Sequence, residues 1–221
     1  MLGFVLQRKA CQSAPADEKS FIHCCCEDGS LLSSPVKRTR TKIVDITKET
    51  DVTNRHTVND VIRIIKGPGD ISFYCSPCTR GSAWQKLNLD RAKRRGLENM
   101  VVQLIDHWDL HWRLWGNFEK VVKHCRVVGA TVMLEWPRFC DYWQEKKVSK
   151  FLAEMGFRFT DFDGCMYGLI AKSKGDESLP IRKPWRIAYI NSSIGLYLHK
   201  TYDGSHKHIP CSGSHALYSQ G

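Results

Sequence analysis

Short apolar segments rich in β-branched and aromatic residues alternate with segments of helical periodicity along most of this 221-residue chain. That alternation points to an α/β fold built on a largely parallel sheet. Strand signals fall at residues 20–26, 42–46, 70–75, 130–134 and 185–190, with Gly69 and Gly129 just before the third and fourth. Strands buried on both faces of a parallel sheet carry this kind of continuous apolar run. Residues 57–66 place Val58, Ile62 and Ile65 on one helical face, and Gly67, Pro68 and Gly69 stop that helix. Apolar residues recur at helical spacing from Leu97 through Trp108, Trp115 and Val122 to Cys125, which predicts a helix over 97–128 with a bend near Gly116. A short helical or loop segment is expected over 31–36, a helix over 142–155, and a hairpin-like stretch from Gly156 through Tyr167. The expected organisation is a loose arm over 1–19, a doubly wound α/β domain over 20–198, and a His/Cys-rich tail over 199–221.

Composition narrows the function classes. No apolar run approaches the roughly 18–20 residues of a membrane span, and the opening six residues are too short and wrongly flanked for a secretory signal. Ten cysteines scattered through strand-like and helix-like segments fit free thiols in an intracellular, reducing compartment better than a disulfide framework. In a eukaryote the expected site is the nucleus. The net charge of +10 gathers at Lys37 to Lys42, Arg91 to Arg95, Lys146 with Lys147 and Lys150, and Arg182 to Arg186. Patches of one sign suit a polyanion, and nucleic acid, DNA in particular, is the expected partner. The plain alternative is that these residues only keep the domain soluble.

Two strings carry the chemistry. Ser76-Pro77-Cys78-Thr79 follows the third strand signal and Leu134-Glu135-Trp136-Pro137 ends the fourth. A thiol and a carboxyl just past the carboxyl ends of two strands stand where open α/β sheets bind ligands. Taken singly, Cys75 and Cys78 could be a redox or metal Cys-x-x-Cys or buried thiols, and Glu135 could pair with Arg138.

In this order the two strings resemble the cytosine-5 DNA methyltransferases, S-adenosylmethionine-dependent enzymes of the class I Rossmann-like fold. The family signature is Pro-Pro-Cys-Gln with a serine four positions past the cysteine, followed downstream by Glu-Asn-Val. Pro77, Cys78, Ser82 and Glu135 match; Thr79, Trp136 and Pro137 depart. The resemblance implies that Cys78 adds as a thiolate to carbon 6 of a flipped cytosine while Glu135 assists at ring nitrogen 3. It also implies S-adenosylmethionine at the turn after the first strand, contacted by Cys24, Cys26, Glu27 and Gly29, with Asp51 or Asp45 near the ribose. That turn has a single glycine, His23 stands where the family has an acid, and the stretch before Cys78 is short for the two strands the family places there. Substrate contacts would come from Ser82, Trp84, Arg138, Arg182 and Arg186. The later family block, Tyr-Gly-Val-Pro then Gln-x-Arg-x-Arg, is similar to Tyr167-Gly168-Leu169 and the run from Pro180 to Arg186, with an insertion between them.

The tail offers His206, His208, Cys211 and His215 within a Gly/Ser-rich loop, a donor set that suits zinc. His199 or Cys165 could substitute, and a plain polar tail is the alternative. Two other functions stay open beside the enzyme: a catalytically inactive nucleic-acid-binding domain, and a metal or thiol protein using Cys75 and Cys78.

Overall fold

The structure, a computed structural model, describes residues 18–26, 41–78, 81–170 and 179–209, with the backbone alone at 83 and 84. Residues 1–17 of the arm expected over 1–19, the turn at 27–30, the segment 31–36 and the tail beyond 209 therefore lie outside the described residues, while Lys19, expected in the arm, opens the first strand. Six strands make one sheet: β1 (Lys19–Cys24), β2 (Thr41–Ile46), β3 (Ile71–Tyr74), β4 (Thr131–Pro137), β5 (Arg158–Asp163) and β6 (Pro184–Ile190), in the order β2-β1-β3-β4-β6-β5. The first four run parallel. β6 runs antiparallel to both β4 and β5, so the sheet is mixed. The hairpin-like signal after Gly156 is β5 followed by a 3-10 helix, Gly164–Tyr167.

Helix α1 (Arg55–Ile64) starts where the Asn54 side chain accepts the His56 N–H at 2.8 Å, occupying one of the free donors of its first turn. Helix α2 (Ala83–Arg94) has no apolar period and gave no signal in the sequence; its basic end, Arg91 to Arg95, is solvent-exposed apart from Ala92. Helix α3 (Glu98–Val128) runs unbroken for 31 residues, so no break falls at Gly116. A Cβ at Gly116 would meet nothing within 4 Å, and the neighbouring Asn117 amide donates to the Val52 and Thr53 carbonyls at 2.9 and 3.1 Å. That tether fixes the helix against the loop before α1. The helix expected over 142–155 is instead a 3-10 turn, Asp141–Gln144, and α4 (Lys146–Glu154). A last short helix, α5 (Ile194–Leu198), follows β6.

Even-numbered residues of β1, β2, β3, β4 and β6 face a core shared with α1, α3 and α4, including Ile22, Tyr74, Val132, Leu134, Trp136 and Ala188. Odd-numbered residues face the other way, where Phe73, Met133, Ile187 and Tyr189 pack with Ile194 and Leu198 of α5. Among the described residues the long helices thus lie on one face of the sheet. At the amino ends of the strands, Asp70 accepts N–H groups of Ser20, Lys66 and Gly67, tying β1 and the end of α1 to the start of β3. No described helix is long and apolar enough to cross a membrane.

Candidate active site at the strand ends

Register decides which side chains meet. Tyr74 lies opposite Leu134, so the next residues, Cys75 and Glu135, continue side by side past the ends of two adjacent parallel strands. The Cys75 thiol donates to the Glu135 carboxyl, and Glu135 Oε1 is sealed from solvent with no hydrogen-bond partner among the described residues. Burial pushes the Glu135 carboxyl up from an ordinary 4.5 to about 7, an effect the Cys75 hydrogen bond and the Lys183 charge only partly offset. A buried carboxylate costs more than a buried carboxylic acid, so the proton stays to near neutrality.

Cys78 is three residues further along the same loop. Burial and the nearby Glu135 charge raise its thiol above the usual range, while Lys183 acts in the opposite sense. Cys140 belongs to the same neighbourhood: burial pushes it up to about 12, and Cys78 and Glu135 both add to the shift. The loop turns back at Gly81, where a Cβ would collide with Cys140 Sγ and stand 3.1 Å from Tyr142 Cγ. Only glycine permits that approach, and it carries the chain from Cys78 into α2.

Lys183 was not singled out as a site residue by sequence reasoning. It has φ +24°, a strained conformation for a residue with a side chain, and its ammonium lies over the Trp185 ring at 4.6 Å. Its only signal was membership of a basic run. A second unexpected element extends the rim: Cys75 Sγ is 3.6 Å from His23 Nε2, and His23 Nδ1 is 3.8 Å from Asp45. Asp45, His23, Cys75 and Glu135 form a polar row across β2, β1, β3 and β4. Desolvation lowers the His23 pKa, so the imidazole is held neutral.

The other sequence-predicted residues are distributed unevenly. Cys24 is fully buried in the core, which removes its side chain from any ligand. Cys26 donates to the His23 carbonyl at 3.4 Å and lies beside Asp45. Asp51 accepts from the Thr53 N–H and hydroxyl, a turn-forming use of its carboxylate. Ser82 precedes α2 as its N-cap residue, and Trp84 is in the first turn of that helix. Arg138 pairs with Asp161 and Asp163 instead of Glu135. Arg186 donates two hydrogen bonds to Asp161, directly opposite it in the β5–β6 pair, and Arg182 pairs with Asp163. These three arginines belong to an ion network at the end of β5, a use of charge that a basic run in sequence does not announce. Glu27, Gly29, Cys211 and His215 lie outside the described residues. His206 and His208 come together with Cys165, their ligand atoms all within 4.8 Å of one another. A second such group is His23, Cys26 and Asp45.

A hollow opens beside the carboxyl ends of β1 and β3, where strand order reverses direction. It is narrow, with room for little more than one water molecule, and lies between Cys25, Val52, Tyr74, Ser76, Leu114, Trp115, Phe118, Leu134 and Trp136. Trp136 Nε1 donates to the Ser76 carbonyl at 3.0 Å and pins the loop that carries Cys78. The fold and site together define an α/β protein with a thiol and a carboxyl at the carboxyl-end rim of a mixed sheet. No family model, curated protein or solved structure matches the chain.

Proposed function

We propose that this chain is a class I methyltransferase-like enzyme that modifies cytosine in DNA, with Cys78 as nucleophile, Glu135 as the assisting acid and S-adenosylmethionine as methyl donor. The observation that supports the reading is a sealed Glu135 carboxyl, its pKa raised to about 7, whose charge is felt by Cys78 in the loop beyond the adjacent strand. A protonated Glu135 can donate to ring nitrogen 3, which a carboxylate cannot do. It also removes the negative charge that opposes ionisation of Cys78, so the proton on one group favours the thiolate of the other.

The aromatic residues around the hollow match the methyl donor in chemical character, and the hollow has to widen to admit it. Aromatic walls suit a flat purine and a sulfonium cation, and Trp115 buries its Nε1 without a hydrogen-bond partner among the described residues. Cys25 reaches φ +61°, giving after β1 the tight turn that the family makes with glycine. When bound, S-adenosylmethionine supplies an electrophilic methyl group. Cys78 gives up its proton to water as its sulfur bonds carbon 6, and the displaced pair moves toward nitrogen 3, which takes the proton from Glu135 and returns it when carbon 5 takes up the methyl group. Carbon 5 thereby becomes nucleophilic. Once it is methylated, carbon 5 loses its proton to water, and the carbon–sulfur pair returns to Cys78 as the bond breaks. The exposed Arg91, Lys93, Arg94 and Arg95 on α2 would hold phosphates beside this rim.

Titration calorimetry of the full chain with S-adenosylmethionine tests the proposal. Heat is expected for the parent and for Cys78→Ala, with methyl transfer to cytosine-containing DNA lost only in the variant. Absence of heat at high protein concentration would leave the inactive nucleic-acid-binding reading in its place.

A further inference from the structure

We infer that Cys165, His206 and His208 form a zinc site that staples the C-terminal segment onto the corner after β5. The three donors come from two separate stretches of chain, yet their ligand atoms lie within 4.8 Å of one another. Zinc holds sulfur and nitrogen donors at about 2.0–2.3 Å, which separates tetrahedral ligands by roughly 3.5 Å. Side-chain rotation closes the difference. The donor set of one thiolate and two imidazoles is one that zinc favours.

The imidazoles are prepared for a ligand. His206 Nε2 and His208 Nε2 are both buried, with no hydrogen-bond partner among the described residues. Ser205 Oγ is 3.0 Å from His206 Nδ1, so an Nδ1–H has an acceptor at hand when Nε2 gives its lone pair to a metal. The rings pack edge-on to each other and to Tyr202, at 4.6 Å between the histidines and 5.0 and 4.2 Å to the tyrosine.

The backbone holds the segment in place without the metal. Asp163 N–H donates to the Lys200 carbonyl, Tyr202 N–H to the Asp163 carboxylate, and Ile209 N–H to the Pro180 carbonyl. The Tyr202 hydroxyl donates to the His206 carbonyl. The other candidate group, His23, Cys26 and Asp45, differs because its donors are already engaged with one another and with Cys75. A metal at Cys165 would also brace Gly164, whose N–H donates to the Arg182 and Lys183 carbonyls, and so support Lys183 beside Glu135.

The test is metal analysis of the purified full chain and of two variants, read independently of methyl transfer. The parent and the Cys211→Ser/His215→Ala chain are expected to hold about one zinc each; the His206→Ala/His208→Ala chain is expected to lose it. The cobalt form of the Cys211→Ser/His215→Ala chain should show sulfur-to-metal charge-transfer absorption, because Cys165 remains a ligand. Cys165→Ser should abolish that band. No zinc in the parent, retention by the double-histidine variant, or a cobalt spectrum without the sulfur band in the Cys211→Ser/His215→Ala chain would each overturn the site; the last does not depend on how well a Cys165 variant folds.

Discussion

Replacing Glu135 by glutamine should make the protein more stable, and only above the pH at which the unfolded carboxyl ionises. Folding raises this carboxyl from 4.5 to about 7, so between those values the folded chain binds a proton that the unfolded chain has released. Stability therefore falls as pH rises through this window, and the loss is complete above pH 7. Each pH unit of displacement corresponds to about 1.4 kcal/mol, giving a total of roughly 3 kcal/mol. Glutamine keeps the acceptor oxygen that Cys75 uses but has no charge to bury. Urea unfolding of parent and variant at pH 4.5 and pH 8 measures the difference, since other titrating groups cancel between the two proteins. The variant should match the parent within about 1 kcal/mol at the lower pH and exceed it by roughly 3 kcal/mol at the higher. Equal differences at both values would refute the claim that burial keeps Glu135 protonated.

Other predictions concern the elements around the site. His111 is buried, stacks on Tyr142 at 3.6 Å, and has its pKa depressed by burial from 6.5 to about 4. Its contribution is present above pH 6.5 and lost as pH falls through 4; in His111→Phe, acid unfolding should show a shallower pH dependence over that window, and an unchanged dependence would count against the assignment. Gly81→Ala should destabilise the chain by roughly 1–3 kcal/mol in denaturant titration, because the added Cβ overlaps Cys140 Sγ. Arg186→Ala should cost roughly 1–2 kcal/mol by removing both hydrogen bonds to Asp161, while leaving S-adenosylmethionine heat unchanged in calorimetry.

The strand at 130–134 and the long periodic helix were legible because burial on both faces of a sheet, or along one helical stripe, leaves a pattern in the residues that make it. Helix α2 was not, since its packing on α3 needs few apolar positions and its basic end faces solvent. Gly116 does not interrupt the helix: a glycine permits a break without requiring one, and the Asn117 beside it ties the helix to the Val52 and Thr53 carbonyls. The adjacency of Cys75 and Glu135 follows from strand order, which sequence periodicity does not specify. Arg138, Arg182 and Arg186 carried a positive signal whose partners, Asp161 and Asp163, become neighbours only when β5 and β6 pair. Cys165 joined the tail histidines for the same reason, through the return of residues 200–209 along the end of β5.

Covalent capture is the most direct measurement of the central pairing. DNA containing 5-fluorocytosine, incubated with the full chain and S-adenosylmethionine, should form a denaturation-resistant adduct that peptide mapping places on Cys78. The adduct should persist in Cys75→Ala and vanish in Cys78→Ala. An adduct on Cys75, or none with a folded chain that binds the methyl donor, would contradict the assignment of the nucleophile and the chemistry proposed for it.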